Sequence, residues 1–248
     1  MKNISILNKD YKAITDKIIS WIREKVSEAG CEGTVVGLSG GIDSSVTGVL
    51  CQKAFPDKNT GIIMPRVSSP EDKKDAKALA HNFNIDYEVV DLIDTYREIL
   101  SAMGVRETEN NRIERGNIKP RLRMAVLYYH AGLKNRLVVG TDNRSELKLG
   151  YFTKYGDGGI DIAPLGNLVK MEVRVIARLL EIPEKIISKP PSAGLWEGQT
   201  DAGELGISYE QIDQYILTGE ADDKTKEIVD RLEKENKHKL QVPAIPSF

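Results

Sequence analysis

A short apolar run, two adjacent glycines, an aspartate and a pair of serines follow one another near the start of the chain. Thr34–Leu38 is rich in β-branched side chains, which is typical of a strand covered on both faces. Gly40 and Gly41 allow a tight turn whose backbone N–H groups point into one concavity, and Ser44 and Ser45 then open a helix. A glycine turn at the start of a helix predicts a phosphate-binding site.

Asp43 lies inside this turn. A carboxylate repels phosphate, but it can hold a magnesium ion that bridges to phosphate oxygens, so the turn predicts a site for a metal–nucleotide. The turn is not a Walker A loop, because no lysine occurs between Thr34 and Gln52. An ordinary strand–turn–helix without a ligand is the alternative, and the fixed order of small and acidic residues argues against it.

A second polar segment follows another predicted strand, Arg136–Gly140. Because parallel strands present their carboxyl ends at one edge of a sheet, Thr141 and Glu146 are expected beside the first turn. Glu146 is therefore a candidate for the second carboxylate on a metal that Asp43 also holds. Capping of the next helix is the alternative role for Asp142 or Ser145, and it does not account for Glu146.

Two further segments carry cations. Arg121 and Arg123 lie at the start of a predicted helix, where the helix dipole favours acids, so they predict an anionic ligand. Gly150–Gly159 is dense in glycine but also contains two tyrosines, a phenylalanine, Lys154 and Asp157. Glycine density alone indicates only a flexible connection, whereas the aromatic rings and the lysine favour a loop that closes on a ligand.

The elements around these segments alternate between strand and helix patterns. Apolar residues between Ile14 and Val26 recur at helical spacing, and Gly30 ends that helix. Two further strands are predicted, at Gly61–Met64 and Tyr87–Val90. A helix capped by Ser69 is predicted from Pro70 to about Asn82. The other predicted helices are Leu92–Met103, one that starts at Pro120, Met171–Leu180, Tyr209–Leu217 and Asp222–Lys237. This alternation predicts an α/β fold: a doubly wound parallel sheet with helices on both faces.

Other segments are predicted to have no chemical role. The charged stretch between Gly104 and Pro120 has no clean period and is expected to be a solvated connection. Glu172 and Arg174 are expected to be solvated on their helix. His81 and His130 have no acid or cysteine cluster near them in the sequence, so metal binding is not expected there.

Composition limits the class of protein. The 248 residues, of which 40% are hydrophobic, suffice for one domain spanning 1–248, and the stretch before Thr34 is too short for a glutaminase domain. A formal charge of −2 provides no overall electrostatic attraction to nucleic acid or acidic membranes. No apolar run is long enough for a membrane span, and the start does not resemble a signal peptide. Cys31 and Cys51 form no disulfide framework or zinc pattern, so a reducing cytoplasm is the expected location.

The motif Ser-Gly-Gly-Ile-Asp-Ser-Ser resembles the PP-loop of the N-type ATP pyrophosphatases, which split ATP between its α and β phosphates. With Gly-Asn-Ile-Lys-Pro-Arg-Leu-Arg-Met, Gly-Thr-Asp-Asn-Arg-Ser-Glu, Phe-Thr-Lys-Tyr-Gly-Asp-Gly-Gly and Pro-Ser-Ala-Gly-Leu-Trp, the ordered set resembles the ammonia-dependent NAD synthetases over nearly the whole chain. The resemblance implies a Rossmann-like fold of the adenine nucleotide alpha hydrolase type. It implies a homodimeric ligase that adenylates deamido-NAD with ATP and Mg²⁺, then lets ammonia displace AMP to form NAD.

The resemblance also assigns roles to individual residues. It places ATP on Gly37, Leu38, Ser39, Gly40, Gly41, Ile42, Asp43, Ser44, Thr141, Lys170 and Ser192. It places deamido-NAD on Arg121, Lys154, Asp161, His238 and Lys239, and Mg²⁺ on Asp43 and Glu146. Asp157 matches the acid near the incoming ammonia, so Asp43, Asp157 and Lys170 are the catalytic candidates. The chain departs from the family pattern at Pro120, where alanine is common, and at Asn143-Arg144-Ser145, which replaces a His-Ala-Ala run.

Three alternative functions share parts of this pattern. A ligase of the GMP synthetase type has the first loop but is expected to lack the block from Lys154 to Gly159. A transfer-RNA-modifying enzyme of the same superfamily is expected to show paired cysteines or a basic RNA-binding extension, and the sequence shows neither. A non-catalytic nucleotide-binding module needs a glycine loop but not both Asp43 and Glu146.

Overall fold

The computed structural model describes residues 9–65, 70–196 and 198–247. Its centre is a parallel sheet with the strand order β3-β2-β1-β4. The strands are β1 (Gly33–Gly37), β2 (Asn59–Ile63), β3 (Asp86–Val89) and β4 (Arg136–Val139). The predicted α/β fold with a doubly wound parallel sheet is confirmed.

Twelve α-helices lie within the described ranges. They are α1 (Tyr11–Glu28), α2 (Ile42–Ala54), α3 (Pro70–Asn82), α4 (Ile93–Ala102), α5 (Arg112–Gly116), α6 (Ile118–Lys134), α7 (Arg144–Leu149), α8 (Lys170–Leu179), α9 (Glu184–Ile187), α10 (Asp201–Leu205), α11 (Tyr209–Thr218) and α12 (Asp223–Asn236). Short 3-10 helices form at Glu109–Asn111 and Lys237–Leu240. The predicted Ser69 cap lies outside the described residues.

Successive side chains of a strand point to opposite faces of the sheet, so apolar strands need helices on both faces to cover them. Val36 packs with α1, α2 and α8 in the larger core, whereas Val35 packs with α6 on the opposite face. Both valine side chains are fully buried. A third cluster, which includes Leu149, Tyr209 and Val229, joins α7, α11 and α12. This cluster holds α7 and α11 beside the carboxyl end of β4.

Glu172 is a correction to the sequence prediction. It is fully buried rather than solvated, and it accepts hydrogen bonds from Lys9 Nζ at 2.6 Å, Tyr11 OH at 3.2 Å and Val169 N at 3.0 Å. Its side chain turns back to the start of α8, where a carboxylate satisfies a free N–H group. Arg174 is partly exposed and pairs with Glu210 at 2.6 Å.

The stretch between Gly104 and Pro120 is also more ordered than predicted. It contains the 3-10 helix and α5, and Arg115 joins them through hydrogen bonds to Asn111 Oδ1 at 2.7 Å and Thr108 O at 2.9 Å. Charged side chains here therefore fix the connection instead of only solvating it. None of the helices in the described ranges combines the length and apolar character needed to cross a bilayer.

Candidate active site

The turn between β1 and α2 depends on Gly40. Its φ is +81°, and a Cβ at this position would lie 2.3 Å from Asp72 O. Both this backbone angle and the clash with Asp72 O therefore disfavour any residue other than glycine here. Gly41 has an ordinary φ of −92° and is the N-cap of α2, so the helix begins at Ile42 rather than at the predicted serines.

Serine hydroxyls bind the N–H groups of this turn. Ser39 N donates to Ser44 Oγ at 3.1 Å, and Gly41 N donates to Ser39 Oγ at 3.2 Å. Ser44 Oγ in turn donates to Gly41 O at 3.1 Å. Phosphate oxygens are acceptors that could replace these hydroxyls on the same N–H groups.

Two carboxylates from different strand ends share one cation. Lys170 Nζ lies 2.5 Å from Asp43 Oδ2 and 3.2 Å from Glu146 Oε1. Lys170 is the first residue of α8 and is only 2% exposed. Asp43 and Glu146, which are about a hundred residues apart in sequence, therefore point into one small region of the molecule.

Asn143 joins the same two carboxylates through hydrogen bonds. Its Nδ2 donates to Asp43 Oδ1 at 3.0 Å, and its backbone N donates to Glu146 Oε2 at 3.0 Å. Asn143 Oδ1 accepts from the N–H groups of Ser145 and Glu146, which makes it the N-cap of α7. The alternative, in which Asp142 or Ser145 caps this helix, is thus wrong, because the amide oxygen of Asn143 accepts from the free N–H groups.

Tyr209 was missed by the sequence analysis. Its hydroxyl lies 3.3 Å from Glu146 Oε1 and 3.0 Å from Asp201 Oδ2, and its ring lies 4.9 Å below Lys170 Nζ. The sequence signal was an aromatic residue directly after the Ser208 cap, on the side of α11 that also buries Ile212. The Tyr209 hydroxyl therefore helps to hold Glu146 in position.

Burial and charge oppose one another at these groups. Burial raises the pKa of Glu146 to about 7, although the Lys170 ammonium lowers it. Burial alone would lower the pKa of Lys170, but Asp43 and Glu146 together raise it above its usual value. The lysine is therefore charged, and it provides the cation that the glycine turn itself lacks.

A cavity of about 430 Å³ opens beside this cluster. The predicted ATP residues line it, with the exception of Gly40, whose neighbours in the turn do so. Thr141 and Ser192 reach it from two loops; Ser192 Oγ also donates to Gln199 O at 2.7 Å, which holds the second loop in place. Asp157 lines the cavity as well and accepts from Thr153 N at 2.8 Å.

Four of the five predicted deamido-NAD residues form a separate group near the chain end. Arg121 donates to Lys154 O at 3.3 Å, and Lys154 Nζ donates to His238 O at 2.7 Å. Lys239 Nζ donates to carbonyl oxygens of the glycine-dense loop, with distances of 2.7 and 3.0 Å, and lines the cavity. Asp161, the fifth, accepts from Tyr128 OH of α6 at 2.9 Å and from Val138 N of β4 at 2.7 Å.

The pair of Asp43 and Glu146 suits a magnesium ion. Mg²⁺ is commonly held by one or two carboxylates, with substrate phosphates and water completing its coordination. Both carboxylates already share a cation, so their geometry supports a common positive ligand. No group of three or more acidic, histidine or cysteine side chains in the described ranges converges to form a metal site by itself. The donor set therefore fits a metal that arrives with a nucleotide.

The chain is similar to proteins of known family. Residues 14–245 match the sequence model of the family described as NAD synthase. The NH(3)-dependent NAD(+) synthetase of Carboxydothermus hydrogenoformans is 51% identical over 233 residues, which cover 94% of this chain and 96% of that protein.

Two solved structures have the same fold over almost their whole length. NMN synthetase from Francisella tularensis superposes with a TM-score of 0.92 at 36% identity, covering 97% of this chain and 100% of that one. The NH3-dependent NAD synthetase from Campylobacter jejuni superposes with a TM-score of 0.79 at 32% identity, covering 96% and 100%.

Proposed function

This chain belongs to the NAD synthase family, and we propose that it converts deamido-NAD to NAD with ATP and ammonia. The reaction has two steps. The nicotinate carboxylate attacks the α phosphorus of ATP and releases pyrophosphate, and ammonia then displaces AMP from the acyl adenylate. GMP synthetase-type, transfer-RNA-modifying and non-catalytic alternatives are not favoured by the family match.

The observation that carries this proposal is the meeting of Asp43, Glu146 and Lys170 beside the glycine turn. In the first step one anion attacks another, so positive charge must offset their repulsion. Lys170 supplies a buried ammonium whose position is set by both carboxylates. The N–H groups of the turn and the start of α2 add partial positive charge for the phosphates.

Asp43 and Glu146 would hold Mg²⁺ in this reaction. A bound Mg²⁺ supplies Lewis-acid charge that neutralises phosphate oxygens. Hydrogen bonds from Asn143 to both carboxylates and from Tyr209 to Glu146 would orient these ligands.

The remaining contacts follow from the placement of the predicted residues. Thr141 and Ser192 would contact ATP from the cavity wall, and Lys170 would approach its phosphates. The deamido-NAD contacts would come from Arg121, Lys154, His238 and Lys239, with Asp161 as a further contact. Asp157, which lies open to the cavity, would receive the proton that ammonium must lose before attack.

The proposed working form is a homodimer of single-domain chains that use ammonia directly. Tyr129 and Leu133 lie on α6 and are both strongly exposed, at 65% and 68%. Such side chains on a long helix favour burial against a second copy. Light scattering at micromolar protein concentration would show a mass twice that of the chain, and a monomer would contradict this assembly.

Nicotinate mononucleotide is a second candidate substrate. The solved structure of NMN synthetase from Francisella tularensis superposes more closely than the Campylobacter jejuni NAD synthetase does. Both reactions would amidate the same nicotinate carboxylate and differ in whether an adenylate half is attached. Parallel assays with deamido-NAD and nicotinate mononucleotide, compared by kcat/KM, would separate them.

The test of the proposed function is a complete reaction. The protein is incubated with ATP, magnesium, ammonium and deamido-NAD, and the products are separated by chromatography. NAD, AMP and pyrophosphate in equal amounts are expected. AMP formation with a different acceptor, and no NAD, would favour another ligase of the superfamily.

A further inference from the structure

Asp142 is a buried carboxylate that the proposed ATP and metal contacts do not use. It follows Thr141 at the carboxyl end of β4 and is 6% exposed. Its Oδ2 has no hydrogen-bond partner within the described part of the chain. The helix α7 does not use it either, since Asn143 is the cap. A buried oxygen of this kind costs free energy unless a ligand binds it.

The surroundings of Asp142 are acidic. Burial and the charges of Asp157, Glu146 and Asp43 all raise its pKa well above the usual range. Asp142 also lines the cavity, together with Asp43, Glu146 and Asp157. Such a position attracts a small cation.

A magnesium ion shared with Asp43 and Glu146 does not explain Asp142. Among the residues that the structure describes, no three acidic side chains converge closely enough to bind one metal ion. Lys170 Nζ contacts Asp43 and Glu146, so its ammonium is already shared by that pair. The cation at Asp142 is therefore a different one.

We propose that Asp142 binds the incoming ammonium ion, with Asp157 as the neighbouring carboxylate on the open side of the cavity. This inference rests on the proposed amidation. Ammonium is the dominant form of ammonia at neutral pH, and its N–H groups are directed donors that match an unpartnered carboxylate oxygen. Asp157 already accepts from Thr153 N at 2.8 Å, so Asp142 is the freer acceptor.

The test uses Asp142→Asn, which keeps the shape and removes the charge. With ATP and deamido-NAD saturating, the apparent KM for ammonium should rise roughly 10- to 100-fold, the loss expected for a hydrogen bond to a charged group. The deamido-NAD-dependent exchange of pyrophosphate into ATP needs no ammonium and should be unchanged. Hydroxylamine, which is uncharged at neutral pH, should still be used as the nucleophile.

Asp94→Asn is the matched control, because Asp94 lies on the surface, where it pairs with Arg97. Its KM for ammonium should equal that of the wild type. An unchanged ammonium KM in Asp142→Asn would overturn the inference. A loss of exchange together with a higher magnesium requirement would make Asp142 a metal ligand instead.

Two further measurements distinguish a folding defect, a failure of the proposed function and a failure of the proposed role of Asp142. If Asp142→Asn does not fold, Asp142→Ser is measured in the same way; failure of both to fold would make Asp142 a structural residue and overturn the inference. If the wild-type protein forms no NAD, the proposed function fails. If it forms NAD and the variant keeps its ammonium KM, only the role of Asp142 fails.

Discussion

Replacing Lys170 with methionine should uncouple the cluster at the glycine turn. The substitution keeps an unbranched side chain of similar length but removes the ammonium that lies between Asp43 and Glu146. The two carboxylates are then left close together without a compensating charge. Their side chains are only 17% and 14% exposed, so solvent screens their repulsion weakly.

The size of the effect follows from this burial. Removing one partner of a buried ion pair costs about 3–5 kcal/mol of unfolding free energy. For a chain of this length that corresponds to a fall in Tm of roughly 6–20 °C. The rate of adenylation should fall about 100- to 1000-fold, the usual effect of losing one group that stabilises charge in a transition state.

The assay is urea unfolding followed by circular dichroism, with and without magnesium, together with pyrophosphate exchange below the Tm of the variant. Magnesium should restore more stability to Lys170→Met than to the wild type, because it replaces the missing cation. Lys148→Met is the control, since Lys148 pairs with Glu233 at the surface, and such pairs contribute about 1 kcal/mol or less. Equal stability and exchange in Lys170→Met and the wild type would refute the reasoning.

Three other perturbations test separate parts of the site. Gly40→Ala should reduce ATP affinity and the free energy of unfolding by about 1–3 kcal/mol, because Gly40 has a positive φ. Gly132 lies in a helix with open space around its Cα, so Gly132→Ala should raise the free energy of unfolding by about 0.5–1 kcal/mol. Calorimetry measures both effects. Asn143→Asp places a third carboxylate where an amide now lies 3.0 Å from Asp43 Oδ1, and the added negative charge should lower the magnesium concentration needed for half-maximal exchange. An unchanged requirement would contradict the position of Asn143 beside the proposed metal site. Burial raises the pKa of Asp213 to about 6 from 3.8, so the folded state holds the Asp213 proton more strongly than the unfolded state. As pH rises from about 4 to 6, the unfolding free energy of the wild type should therefore fall by about 3 kcal/mol relative to that of Asp213→Asn. A constant difference between the two unfolding free energies, measured by urea titration across this pH range, would oppose this.

The framework of the fold follows from local patterns in the sequence. Apolar runs predict the strands within one or two residues, because β1 and β2 are buried on both faces and the polar Thr34 and Asn59 at their starts bond to each other. The starts of α2 and β2 shift relative to the predictions, since termini depend on hydrogen bonds that hydrophobic patterns do not encode. β3 was predicted as a strand at Tyr87–Val90, and the structure places it at the exposed edge of the sheet.

The glycine turn and the neighbourhood of Asp43 and Glu146 could be predicted because parallel strands align their carboxyl ends. The contacts that orient these two carboxylates could not be predicted. Tyr209 lies 63 residues from Glu146, and Lys170 lies 127 residues from Asp43. Such contacts arise from the packing of α8 and α11, which no local pattern specifies.

Two residues did carry a usable signal. Lys170 begins a helix, where the dipole disfavours a cation, so a nearby acid was required. Asn143 departed from the family pattern, and the structure shows that its amide both caps α7 and binds Asp43. Glu172 gave no such signal, because its partner Lys9 lies 163 residues away.

In the proposed reaction the glycine turn presents the α phosphorus of ATP to a substrate carboxylate. The most direct measurement uses deamido-NAD whose nicotinate carboxylate carries a heavy oxygen isotope, with ATP, magnesium and ammonium. Attack on the α phosphorus transfers one labelled oxygen to AMP, and mass spectrometry should find it there. Label in inorganic phosphate, with ADP as the other product, would show attack at the terminal phosphate and contradict adenylation at the glycine turn.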